Sequence, residues 1–348
     1  MPAPRGKYRK PTTEATPASD RRHTRKPSTG ASGAIRKELG RPLVTDLEKL
    51  CVPHTASGIY DFTSNIVVII TVAAVGLCLD HIGFTLIAAI YIGVRQRYLA
   101  NLAHECIHQK LVLQKWLNRM IGRVIAIILI ESFDDYQKEH RTHHAKLGKE
   151  GDPKLRSYAK KKATTPVQDK LDFVYHVIFL NTIWTLPRDT VKGWFHKSES
   201  ETWSAALVRL TCWLTLIAVA FELGRLLALV CYWLIPLALV RPAFNWLTDL
   251  GNHAGVIDDP DPLKQTRGWT SHWLTRHLLG GHADDMYHPI HHWFPRITWR
   301  NLKPARQLLA ANYEHWNEVP WCDGFFFRRR STPNTMCVIE DIAFRLRG

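Results

Sequence analysis

The chain has 348 residues, with 46 Lys and Arg against 31 Asp and Glu, a formal net charge of +15, and 18 histidines. That length allows one large domain or two modest ones, and the charge favours anionic partners such as acidic headgroups or phosphate-bearing molecules. Seven scattered cysteines without a CxxC pair argue against a disulfide framework and fit reduced thiols in a cytosol-facing protein.

Residues 1–40 are rich in Arg, Lys, Pro, Thr and Ser and poor in large apolar residues. Such a stretch buries too little surface to offset the entropy of ordering, so it reads as a disordered basic tail. It lacks the apolar core of a secretory signal. It is read as a solvated cytoplasmic segment, with no nucleic-acid partner expected. The body is expected over 41–325, followed by a C-terminal tail over 326–348.

Four apolar stretches occur in two pairs. Residues 62–79 and 82–94 are separated by Asp80-His81, and residues 205–221 and 226–240 by the turn from Glu222 to Arg225. A spanning helix needs about 20 mostly apolar residues. Each stretch falls short unless its flanks are counted, so buried helices of a soluble bundle are the competing reading. Charge placement favours the membrane. The segment 95–200 holds nineteen Lys and Arg, whereas the two turns hold Arg225 alone. The expectation is an all-α integral membrane protein with four transmembrane helices in two hairpins. Both termini and the middle segment then face the cytoplasm, and a cytoplasmic helical cap is carried by that face. Residues 120–130 and 173–186 suit helices lying at the interface.

Three histidine clusters fall on that cytoplasmic side. HECIH gives His104 and His108, HRTHH gives His140, His143 and His144, and HPIHH gives His288, His291 and His292. The spacings i, i+4 and i, i+3, i+4 each gather imidazoles on one side of a helix. Pro289 suits a first helical position with His288 at the N-cap. Neutral imidazole binds zinc, iron, copper and nickel. Eight ligands exceed one tetrahedral ion and suit two ions with open positions. HECIH alone is the HExxH of zinc proteases, with Glu105 as base. A protease leaves the other two clusters without a purpose, so a zinc membrane protease is the distant alternative.

The words around the clusters resemble the three histidine boxes of the integral-membrane fatty acid desaturase and hydroxylase superfamily. HECIH follows the second span, HRTHHAKLGKEGDP resembles the second box with its Asp-Pro, and YHPIHHWFPRITWRNL resembles the third. The resemblance covers about residues 60–305. It implies a ninth ligand on a helix extending from the fourth span, where DLGNHAG places His253. In part of the family an Asn stands four residues before that His; here Asp249 does. His277 and His282 precede the third box as extra histidines without an assigned role. Asp284, Asp285, Glu105 and Glu139 are candidates to orient ligand imidazoles.

The resemblance also implies a centre of two iron ions that activates O2 to attack an unactivated C–H bond. Loss of two neighbouring hydrogens gives an alkene; oxygen transfer gives an alcohol. The expected activity is desaturation of a long acyl chain borne by lipid, CoA or a carrier protein. A membrane hydroxylase or a carotenoid oxygenase of the same superfamily is the alternative, and a metal-storing membrane protein is a more remote one. With no HPGG-type motif of a fused cytochrome b5, electrons are expected from a separate ferredoxin, flavoprotein reductase or cytochrome b5-like donor.

Overall fold

The computed structural model describes residues 31–281, 285–332 and 334–347. It is mostly helical. The strands among the described residues are one short parallel pair, Gly268–Thr270 with Trp321–Asp323, in the register Gly268↔Trp321.

The folded body begins earlier than the composition implied. Helices α1 (Ala31–Glu38) and α2 (Gly40–Lys49) place Ile35, Leu39, Leu43 and Leu47 at intervals of four, and all four are buried. They pack with Ile290, Trp293 and Phe294 of the third histidine box. The last ten residues of the expected tail are therefore structural, while residues 1–30 lie outside the described residues. The C-terminal boundary shifts likewise. The helix Val338–Arg345 buries Val338, Ile339 and Ile342 in a core shared with Trp246 and Leu250, so the body extends past residue 325.

Helices α3 (Thr55–Leu79) and α4 (Ile82–Ile107) follow each other across a short turn and pack together. Asp80 closes α3 in the left-handed conformation (φ 43°), and His81 caps α4 by accepting from the Gly83 amide at 3.2 Å. Helix α4 changes character along its length. Ile82, Leu86, Ile87 and Ile90 are exposed, whereas every residue from Gln96 to Tyr98 and from Asn101 to Ile107 is buried. After α4 come α5 (Lys115–Ile128), α6 (Phe133–Lys146) and α7 (Pro153–Lys160), then α8, a continuous helix over 170–194 with two π-helical stretches. Helices α9 (Trp203–Glu222) and α10 (Leu226–His253) follow across a second short turn. The short helices α11 (Trp273–Leu279) and α12 (His288–Trp293) complete the part that bears on the site.

Among the described residues, three helices are long and apolar enough to cross a membrane: α3, α9 and α10. Helix α4 is not among them, because Arg95 and Arg97 interrupt its apolar run. The outward faces of α3, α9, the start of α4 and the start of α10 display large apolar side chains such as Ile70, Phe221, Ile82 and Leu227. A contiguous apolar surface of this kind needs a non-aqueous surrounding. Tyr232 of α10 packs against the end of α3 and the start of α4. Its hydroxyl lies 2.9 Å from Thr85 Oγ1, and a Cβ at Gly76 would approach that same hydroxyl to 2.5 Å. Both tight turns thus lie at one end of the bundle, and the chain runs from the opposite end of α4 and α10 into the histidine clusters.

Candidate metal centre

The histidines sort into two pockets. His104, His108, His140, His144 and His291 form the first, and His143, His253 and His292 the second. His288 joins the second, with its Nε2 2.8 Å from that of His253 and 3.0 Å from that of His292. All nine expected ligands therefore gather at one centre, His253 included. His277 stacks on Tyr91 and joins neither pocket. His282 and Asp284 lie outside the described residues.

Helical period explains the sorting. His104 and His108 lie four apart at the end of α4. In the second box His140 and His144 face the first pocket, while His143, turned about 60° from His140 and about 100° from His144, serves the second. The third box reverses the assignment. His288 and His292, four apart, serve the second pocket, and His291 serves the first. Tyr287, rather than His288, occupies the N-cap of α12, which places His288 and Pro289 in its first turn.

In the first pocket the Nε2 atoms of His104, His108 and His144 lie 2.8, 2.8 and 3.0 Å from that of His140. Those of His104 and His144 each lie 3.1 Å from that of His291. Five converging imidazole nitrogens cannot satisfy one another by hydrogen bonds, since each neutral ring offers a single N–H. A cation accepting their lone pairs does satisfy them. Burial, reinforced by neighbouring imidazoles, pushes the pKa of His140, His144 and His292 well below the usual value. Burial and then the Lys110 charge do the same for His291. These rings are neutral at pH 7, the form that binds a metal. The donor set fits two metal ions, one in each pocket.

The residues behind the ligands differ between pockets. His143 Nδ1 donates to Asp152, 2.9 and 3.1 Å from its two oxygens, which fixes the tautomer that leaves Nε2 free for a metal. Asp152 is itself held by the Gly148 and Lys154 amides. Its Asp-Pro belongs to the second-box resemblance, but its orienting role was not expected. On the first pocket, Lys110 Nζ lies 3.4 Å from His291 Nδ1 and is paired at 2.8 Å with Glu105. Glu105 is fully buried, and the Trp299 amide also reaches it. Of the expected orienters, Glu105 thus acts through Lys110. Asp285 binds Arg97 and Asn101 rather than a ligand. Glu139 is exposed in the adjoining cleft. Asp249, one turn before His253, pairs with Lys154 at 2.6 Å.

A cleft of about 610 Å³ opens onto both pockets, with His104, His140, His143, His253 and His288 in its wall. Two adjacent pockets of imidazoles beside an open cleft give this helical protein a donor set that could hold metal, at one end of its apolar helices. The match to known proteins is more specific. Residues 81–322 fit the family model "Fatty acid desaturase", and the chain belongs to that family. It is 24% identical over 290 residues to dihydrorhizobitoxine desaturase of Bradyrhizobium elkanii, covering 78% of this chain and 80% of that one. It is 25% identical over 300 residues to the sn-1 acyl-lipid omega-3 desaturase (ferredoxin) of Nostoc sp. (strain 36), covering 77% and 80%.

Proposed function

We propose that the chain is an O2-dependent di-iron desaturase embedded in a membrane by four helices, α3, α4, α9 and α10, with both termini cytoplasmic. The observation that carries this reading is the division of nine histidines between two adjoining pockets, five and four, beside one cleft. His104, His108, His140, His144 and His291 would hold one iron, and His143, His253, His288 and His292 the other. Iron so held supplies the activation of O2 with two external electrons and the removal of hydrogen from a saturated carbon.

The rest is done by the chain itself. Asp152 holds the proton on His143 Nδ1, so the ring meets the metal through Nε2. The buried Glu105–Lys110 pair packs behind His291 and stays out of the cleft. That placement disfavours the protease alternative, because Glu105 does not line the cleft where a water at a metal would be activated. Burial keeps the ligand rings unprotonated while the cleft admits substrate. The two named relatives are both called desaturases, which favours alkene formation over hydroxylation. The expected long acyl chain on lipid, CoA or carrier protein draws its support from the family. A separate electron donor fits the ferredoxin named for the Nostoc relative.

Mass spectrometry of products from cells expressing the chain with a ferredoxin and its reductase tests the activity. Products two hydrogens lighter than a precursor are expected, and absent in His143→Ala. Products carrying one added oxygen instead would replace the desaturase by a hydroxylase.

A further inference from the structure

His253 is the last residue of α10, and a helix is weakest at its end. The final carbonyls of a helix have no partner inside it, and helix ends open more easily than the middle. A metal ligand needs its position held to about 0.2 Å. His143 has Asp152 to orient its ring, but His253 Nδ1 is buried with no hydrogen-bond partner among the described residues. The placement of His253 must therefore come from the backbone that carries it.

That backbone is held chiefly by one residue. Arg267 is fully buried. Its Nη1 donates to the Gly251 carbonyl and its Nη2 to the Ala254 carbonyl, each at 3.0 Å. Its own amide donates to the Asn252 carbonyl at 2.8 Å. The His253 carbonyl accepts from the Val256 and Ile257 amides, and that of Leu250 from the Ala254 amide. Every carbonyl over 250–254 is thus occupied, and those of Gly251, Asn252 and Ala254 depend on Arg267. A cation there also lies at the negative end of the helix dipole.

Arg267 is held in turn from the far end of the chain. Its Nε donates to Asp341 at 2.8 Å, and Arg345 Nε donates to the same carboxylate oxygen at 2.9 Å. Asp341 and Arg345 lie on the helix Val338–Arg345, in the stretch whose composition reads as a tail. Gly255, in the left-handed conformation (φ 72°), turns the chain beneath that helix, where a Cβ would meet that of Arg345 at 3.0 Å. A buried ion pair is a weak source of stability, since apolar groups of similar volume often serve as well. Apolar groups cannot, however, grip two carbonyls and a carboxylate with one rigid fork, as a guanidinium does.

We propose that Arg267 is a positioning residue for the second metal pocket. Braced by Asp341, it fixes the end of α10 so that His253 Nε2 stays 3.2 Å from that of His143 and 2.8 Å from that of His288. The C-terminal helix is then a working part of the metal centre. The inference rests on the two-ion reading of the site.

The test uses the full-length, iron-loaded chain in lipid nanodiscs, with chelator titration, metal analysis and Mössbauer spectroscopy. Arg267→Met combined with Asp341→Leu removes both charges at similar volume, and Arg267→Lys keeps the charge without the fork. In each, affinity for one ion is expected to fall about 10–100-fold while the other ion is retained. The retained ion should give the spectrum of the ion left in His143→Ala, and not that of the ion left in His291→Ala. Amide exchange over residues 250–257 of the metal-free chain should rise in both variants, a readout that holds whatever the number of ions. If the double variant does not fold, Arg267→Lys decides. Two ions at wild-type affinity in a folded variant, parallel loss of both ions, or unchanged amide exchange overturns the brace. Fewer than two ions in the wild-type chain counts against the di-iron reading instead, and amide exchange then judges the brace.

Discussion

The two metal pockets are built from the same ligand but are propped by opposite charges. The first pocket is more open, with His108, His140 and His144 half-buried, and an ammonium, Lys110, stands behind His291. The second is more deeply buried, with His143, His253 and His292 buried, and a carboxylate, Asp152, stands behind His143. A carboxylate on the remote nitrogen raises ligand basicity and strengthens metal binding. An ammonium there opposes positive charge on the metal. With iron bound as proposed, the ion in the second pocket is expected to be held more tightly and the one in the first to exchange more easily.

If turnover uses both ions as proposed, removing a ligand from either pocket should abolish it. His291→Ala and His143→Ala should each lower product formation by well over the roughly 100-fold expected from losing an outer partner. Assays normalised to membrane-inserted protein check this. Near-normal turnover in either variant would mean that one pocket suffices.

Asp152→Asn sharpens the comparison. It should weaken metal binding in the second pocket by about 10–100-fold while leaving the first occupied. Titration with a chelator, followed by metal analysis, should show one ion lost early in the variant. Simultaneous loss of both ions would show that the pockets are not independent.

Glu105→Gln addresses the first pocket. It leaves Lys110 buried without its carboxylate, at a cost of about 3–5 kcal/mol in stability. Variant protein that does fold should retain metal and part of its activity. Complete inactivity with metal and stability intact would return Glu105 to the role of a general base.

The smallest effect is on acid stability of the metal-free protein. The pKa values of His140, His144, His291 and His292 are depressed in the folded state. The unfolded chain therefore binds more protons than the folded chain once pH falls below about 6.5. Stability of the apo-protein should hold above that value and decline as pH falls through it, measured by thermal unfolding in detergent. Stability rising on acidification would show that the rings are charged in the fold.

Much of the centre was legible because helical period forces it. HxxxH and two HxxHH words need only an α-helix to bring their rings together, and each box lies on one or at the end of one. His253 is a lone histidine with no local pattern, and only the family resemblance pointed to it. The supports were harder to read. Lys110 reaches Glu105 because the chain reverses at Gln109, in the left-handed conformation (φ 56°), a turn that composition does not announce. Asp152 was visible as the Asp before a helix-starting Pro, but its second duty toward His143 depends on tertiary placement. At the N-terminus, the basic, Pro-rich composition masked the four-residue apolar period that begins at Ile35.

The most direct test of two iron pockets is Mössbauer spectroscopy with metal analysis on aerobically matured, iron-enriched protein, alongside activity. Two irons per chain in distinguishable environments, with activity tracking occupancy of both, are predicted. One metal ion per chain with full activity, unchanged by added iron, would contradict the account.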